Sequence, residues 1–95
     1  MTKKLEEEEI ARELGELKGW SREGDTIVKR YEFPNFRRAV EFVDRLANVV
    51  EELNHHPTIT IDFDNVTITL TTRTHRGLTD RDFKAAYLFD GLLID

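Results

Sequence analysis

Between Phe36 and Leu53 the apolar residues Phe36, Ala39, Val40, Val43, Leu46, Ala47, Val50 and Leu53 recur at three- and four-residue steps, the spacing of one helix face. A stripe of that length needs an apolar cover, and the chain supplies one on both sides. Before it, Thr26 to Phe33 is rich in β-branched and aromatic residues and reads as a strand. After it the period drops to two. Ile59, Ile61 and Phe63 alternate with Thr58, Thr60 and Asp62, and Val66, Ile68 and Leu70 alternate with Thr67, Thr69 and Thr71. A long amphipathic helix set between strand pairs is the frame into which everything else must fit.

The remaining elements follow from local signals. Leu5 to Leu17 reads as a short acidic helix with Leu5, Ile10, Leu14 and Leu17 near one face. Glu6 to Glu9 lies at its start, where negative charge suits the positive end of the helix dipole. Gly19 breaks this helix and Trp20 opens a strand; Trp20 and Phe33 read as core residues. Glu23-Gly24-Asp25-Thr26 fits a tight hairpin, and Pro34 with Asn35 marks the stop of one strand and the N-cap of the long helix. Asp64-Asn65 fits a two-residue turn needing positive φ. Thr79-Asp80-Arg81-Asp82 has the form of a capping box, opening a helix through Ala85, Ala86, Leu88, Phe89 and Leu92. The expected order is α-β-β-α-β-β-α, an α+β fold with a four-stranded antiparallel sheet and helices on one face, in one domain over 1–95.

Composition removes several functional classes. With 14 basic and 19 acidic residues the net charge is −5, which argues against a general nucleic-acid or anionic-membrane binder. Arg37-Arg38, the main basic cluster before residue 70, reads as solvated helix surface. The chain has no cysteine, so disulfides, thiolate metal sites and cysteine nucleophiles are excluded. Met1 to Glu9 is charged rather than apolar, and no apolar run approaches the ~20 residues that cross a bilayer. A soluble cytoplasmic protein is expected.

Chemistry concentrates in Glu51-Glu52-Leu53-Asn54-His55-His56-Pro57. Histidine is the residue type that titrates near neutral pH without help, so an adjacent pair suits proton transfer or metal binding. Pro57 pushes the preceding residue out of helical geometry and holds the pair at a corner. Glu51 lies one helical turn before His55, within reach of it if helical geometry persists to Asn54. A metal site from His55, His56, His75 and a carboxylate is the weaker reading, because adjacent side chains in extended backbone diverge.

These residues resemble the pterin-4a-carbinolamine dehydratases, also called 4a-hydroxytetrahydrobiopterin dehydratases. Gly19-Trp20 is similar to that family's opening strand, and Arg30-Tyr31-Glu32-Phe33 with Phe36 to its aromatic strand-to-helix junction. Glu51, three residues, then His55-His56-Pro57 is similar to its central signature. Phe63 falls where the family carries an aromatic, and Gly77-Leu78-Thr79 with Arg81-Asp82 resembles the start of its last helix. One position departs. The family carries histidine, or tryptophan in some branches, ten residues after that aromatic, and here this is Arg73. If the strand continues so far, its period of two places His75 on the same face, able to stand in partly for the missing group.

The resemblance implies dehydration of a 4a-hydroxytetrahydropterin to the quinonoid dihydropterin, in tetrahydrobiopterin recycling, with no metal or redox cofactor. It implies His55 and His56 as the acid–base pair, with Glu51 orienting His55 and fixing its tautomer. Substrate-binding roles fall to Arg73, His75, Asp82, Arg81 and Asn54, although capping alone explains Asp82 equally well. Arg73 would supply fixed charge or hydrogen bonds, since guanidinium is a poor base. The family resemblance also implies a homodimer or homotetramer, and an aromatic amino-acid hydroxylase as protein partner. The alternative is a non-catalytic binding or assembly module, such as a Rubisco assembly factor or the dimerisation cofactor of a transcription factor. Arg73 is the feature that favours it.

Overall fold

The computed structural model describes residues 2–93. Among these, the elements are α1 (Glu7–Gly15), β1 (Ser21–Glu23), β2 (Thr26–Glu32), α2 (Phe36–Leu53), β3 (Thr58–Asp62), β4 (Asn65–Leu70), a 3-10 turn (Arg73–His75) and α3 (Asp80–Asp90). All strand pairs are antiparallel and the sheet order is β1-β2-β4-β3. The expected α+β order is what the chain adopts.

The helix α2 spans the expected residues, and Asn35 caps it by accepting the Arg38 N–H at 2.9 Å. Its buried residues are Ala39, Leu46 and Val50 of the expected stripe, joined by Phe42 from outside it. Phe42 takes the central place because it packs against Tyr31 and Phe33, at ring-centroid distances of 4.8 and 5.1 Å. Phe36, Val40 and Ala47 consequently turn outward, and Phe36 is 53 % exposed. The central strands behave as the alternation requires: Val66, Ile68 and Leu70 of β4 and Ile27 and Tyr31 of β2 are buried.

Three expectations shift. Leu5 does not start α1, because its N–H donates to the Leu78 carbonyl at 2.8 Å and holds it outside the helix. The helix also stops at Gly15, well before the breaker Gly19, whose φ is +84°. The β3–β4 turn is moved one residue earlier: Asp62 pairs with Asn65, and Phe63 rather than Asp64 or Asn65 takes the positive φ, 55°. Pairing Ile61 with Val66 and Ile59 with Ile68 sets that register. Strand β3 lies at the sheet edge, so its apolar set is only partly covered, and Phe63 is 71 % exposed.

The far end of α3 is tied to the first hairpin by Asp90. Its Oδ1 accepts from Tyr31 OH at 2.6 Å and Lys29 Nζ at 2.9 Å, and its Oδ2 accepts from Trp20 Nε1 at 3.1 Å. Trp20 is therefore core, as expected, with its one polar atom satisfied. Burial, and then the Asp90 hydrogen bond and charge, push the Tyr31 phenol far above the ordinary tyrosine value.

A pKa raised on folding contributes stability that is intact below the unfolded value and lost as pH rises past it. With an unfolded value near 10, the Tyr31 contribution is complete at neutral pH and declines above about pH 10. Tyr31→Phe should cost about 1 kcal/mol at pH 7 and show a smaller further loss at pH 11 than the wild type. Urea unfolding of both proteins at the two pH values checks this. Equal alkaline losses would contradict it.

Candidate acid–base site

The site begins where α2 ends. Asn54 adopts the left-handed conformation, φ 53° and ψ 43°, and its N–H donates to the Val50 carbonyl. The chain thus leaves helical geometry one residue before His55, and Pro57 keeps His56 extended. Adjacent side chains in extended backbone point apart, and these two do. His55 turns into the protein and is buried, whereas His56 is exposed.

This geometry corrects one expectation. Glu51 does not orient His55; its Oε2 lies 2.9 Å from His56 Nε2, in an exposed pair. The left-handed Asn54 is the reason, since it removes the four-residue helical step between Glu51 and His55. The carboxylate at His55 is that of Asp82, whose Oδ1 is 2.7 Å from His55 Nε2.

Asp82 takes the capping role that the sequence offered, and its other oxygen is spent on His55. As the third residue of α3 it closes the capping box, with Oδ2 accepting the Thr79 N–H at 3.0 Å. The same Oδ2 accepts from the Thr72 hydroxyl at 2.7 Å. Because the Thr72 proton is committed there, the Thr79 hydroxyl donates to Thr72 Oγ1, 2.7 Å away, and itself accepts the Arg81 N–H at 3.2 Å. In the tautomer that carries its proton on Nε2, His55 donates to Asp82 Oδ1 and Nδ1 holds the lone pair. Asp82, Thr72 and Thr79 are all buried, and each finds partners. Thr72 had no signal in the sequence.

The remaining expected residues lie around this core. The Arg81 guanidinium donates to the Asn54 carbonyl at 3.0 Å, fastening α3 to the end of α2. Strand β4 stops at Leu70, so Arg73 and His75 lie in the 3-10 turn and not at one strand face. His75 Nε2 is 3.2 Å from the Thr2 carbonyl and Nδ1 3.0 Å from Thr74 Oγ1, so both ring nitrogens have partners away from His55 and Asp82. The strand-based reason for His75 to stand in for a third histidine is therefore gone. A cleft of about 150 Å³ opens at His55, lined by Leu53, His55, Arg81 and Lys84. Larger grooves of about 520 and 740 Å³ border α3 elsewhere, but neither carries a histidine. Among the described residues no three His, Asp or Glu side chains converge as a metal site would need, since the imidazoles turn to separate carboxylates. No helix there is long and apolar enough to cross a membrane.

The two carboxylate–imidazole pairs should differ sharply in their effect on stability. Asp82→Ala strands three donors, two of them buried backbone or hydroxyl groups, and should lose about 2–4 kcal/mol. Glu51→Ala breaks an exposed pair and should stay within about 0.5 kcal/mol of wild type. Urea denaturation midpoints measure both, and similar losses would refute the assignment of Asp82 as the structural partner.

Residues 3–92 match the family model described as pterin 4 alpha carbinolamine dehydratase. A protein of Thermomicrobium roseum, provisionally named as such a dehydratase, is 46 % identical over 83 residues, covering 87 % of this chain and 89 % of its own. A crystal structure titled as a transcriptional coactivator/pterin dehydratase from Brucella melitensis superposes with a TM-score of 0.91 at 30 % identity, over 94 % of this chain and 97 % of that one. A pterin dehydratase-like protein identified as a RuBisCO assembly factor in the alpha-carboxysome is similar at a TM-score of 0.64 and 28 % identity, over 77 % and 84 %. Fold, match and shared length agree: the chain belongs to the pterin-4-alpha-carbinolamine dehydratase family.

Proposed function

We propose that this protein dehydrates 4a-hydroxytetrahydropterin to the quinonoid dihydropterin, within recycling of a tetrahydropterin cofactor in the cytoplasm. The observation that carries this reading is the pair of adjacent imidazoles, each held by its own carboxylate, His55 by Asp82 and His56 by Glu51. One imidazole protonates the C4a hydroxyl as the C–O bond breaks and water leaves. The other takes the N5 proton, and the N5 electrons form the C4a=N5 bond. The two imidazoles exchange protonation states in the step, and solvent at the exposed His56 resets them. The substrate supplies the electrons and the residues move only protons, so the step itself calls for no redox cofactor. Arg73 contributes charge or hydrogen bonds at the pterin edge, and Asn54 and Arg81 hold the corner from which the imidazoles project.

The same reading includes a homodimer or homotetramer. Its support is the apolar surface left outside the core, with Phe36 53 % and Phe63 71 % exposed. A second reading, a binding or assembly module, is supported by Arg73 in place of histidine and by the likeness to the carboxysomal assembly factor. Pterin binding without turnover would favour that reading.

The purified protein should accelerate dehydration of 4a-hydroxytetrahydropterin at neutral pH. His55→Ala and His56→Ala should each lower the rate by about 10²–10⁴-fold, the usual worth of general acid–base catalysis. Arg73→His should raise it, by restoring an imidazole. A folded wild type that does no better than buffer would sink the proposal.

A further inference from the structure

The chain is acidic overall, with a net charge of −5, yet the mouth of the His55 cleft is cationic. Of the four lining residues, Arg81 and Lys84 carry positive charge and none carries a carboxylate. Arg73 and Arg76, both exposed, are not among the lining residues and lie in the turn that follows Thr72. Thr72 is itself bonded to Asp82, which brings this turn close to the start of α3 and to His55.

Among the described residues, none of the nearby acids forms an ion pair with these cations. Asp82 is buried beneath three donors, and Glu51 is paired with His56. Lys84 also borders the α1–α3 groove, where Glu9, Glu13 and Asp80 lie, but forms no ion pair with any of them. Among the described residues Arg73 and Arg76 likewise have no carboxylate partner. Arg81 bonds one carbonyl through a single nitrogen, which leaves the rest of its fork of donors for a ligand.

A neutral pterin ring needs hydrogen bonds and a flat apolar contact, and gives no reason to gather cations at the rim. An anionic substituent does. Guanidinium forks match phosphate and carboxylate oxygens, and charge-assisted hydrogen bonds are about twice as strong as neutral ones. We propose that the pterin accepted here carries a negatively charged side chain, a phosphate or a carboxylate, held by Arg81 and Lys84 at the His55 cleft with Arg73 beside them. This rests on the pterin site proposed above. It makes Arg73 a specificity residue, exchanging an imidazole for a permanent positive charge.

Three dihydropterin probes that cannot dehydrate separate the sources of charge: dihydroneopterin, dihydroneopterin monophosphate and dihydrofolate, with neutral, phosphate and carboxylate side chains. Their affinities are measured calorimetrically with the full chain, in low and in high salt. One anionic probe or both should bind about ten-fold more tightly than the neutral one in low salt, with the preference shrinking in high salt. Whichever anion is preferred identifies the side chain. Lys84→Gln and Arg73→His should each reduce the anion-to-neutral ratio several-fold. Equal affinities for all three probes, or a preference that survives both substitutions, would overturn the proposal. Turnover of neutral 4a-hydroxytetrahydropterin with no charge preference overturns only this inference. Anion-selective pterin binding without turnover sustains it and removes the dehydratase reading instead.

Discussion

The Asp82 carboxylate stands where the end of α2, the exit from β4 and the start of α3 meet, and it bonds a group from each. His55 comes from the first, Thr72 from the second and the Thr79 N–H from the third. A buried carboxylate is tolerable only when its oxygens are saturated with donors, so the three segments cannot drift apart without stranding charge. The hydroxyl chain runs in one direction, from Thr79 to Thr72 to Asp82, and each member polarises the next. Helix capping and imidazole orientation are thereby one arrangement. Whatever fixes the first turn of α3 fixes the ring of His55.

The neighbouring histidine obeys a different constraint. His56 and Glu51 meet at the surface, where water competes for both, so their bond orients without strongly holding. Adjacent residues therefore differ in burial and in access to solvent, although their side chains are chemically the same. Proton chemistry with an acid and a base benefits from that asymmetry. One ring is held in place by the fold and the other exchanges freely with bulk water. The cause is a single backbone feature, the left-handed Asn54 followed by a proline-restricted His56.

Much of this was legible in the sequence, where local rules and tertiary packing agreed. The long helix, its Asn35 cap, the alternating strands and the Thr79 capping box are short-range signals, and their expected order is the observed one. The misreadings arose where long-range contacts decide. Leu5 is pulled from its helix by the Leu78 carbonyl, and the turn at Phe63 is placed by cross-strand pairs that no turn propensity reports. At the site, the spacing of Glu51 and His55 was a sound helical argument applied one residue past the end of the helix. The partnership of His55 with Asp82 spans 27 residues, and that of Thr72 with Asp82 spans 10. Such pairs become visible only when the helix ends are brought together. Asp82 was nonetheless singled out by the capping box, and the structure adds to that cap a bond to His55 that no local signal reports.

The last helix owes its placement to both of its ends. At its start Asp82 lies where the helix dipole favours negative charge, and at its finish Asp90 lies where the dipole disfavours it. The second position is stable because Lys29, Tyr31 and Trp20 all donate to Asp90. Eight residues at 1.5 Å rise separate these anchors by about 12 Å, one tied to the histidine corner and the other to the first hairpin. A helix held at two points that far apart cannot roll. The first two turns, which carry Arg81 and Lys84, therefore keep a set distance from His55, and charge recognition at the cleft is built on the same rigid element that orients the imidazole.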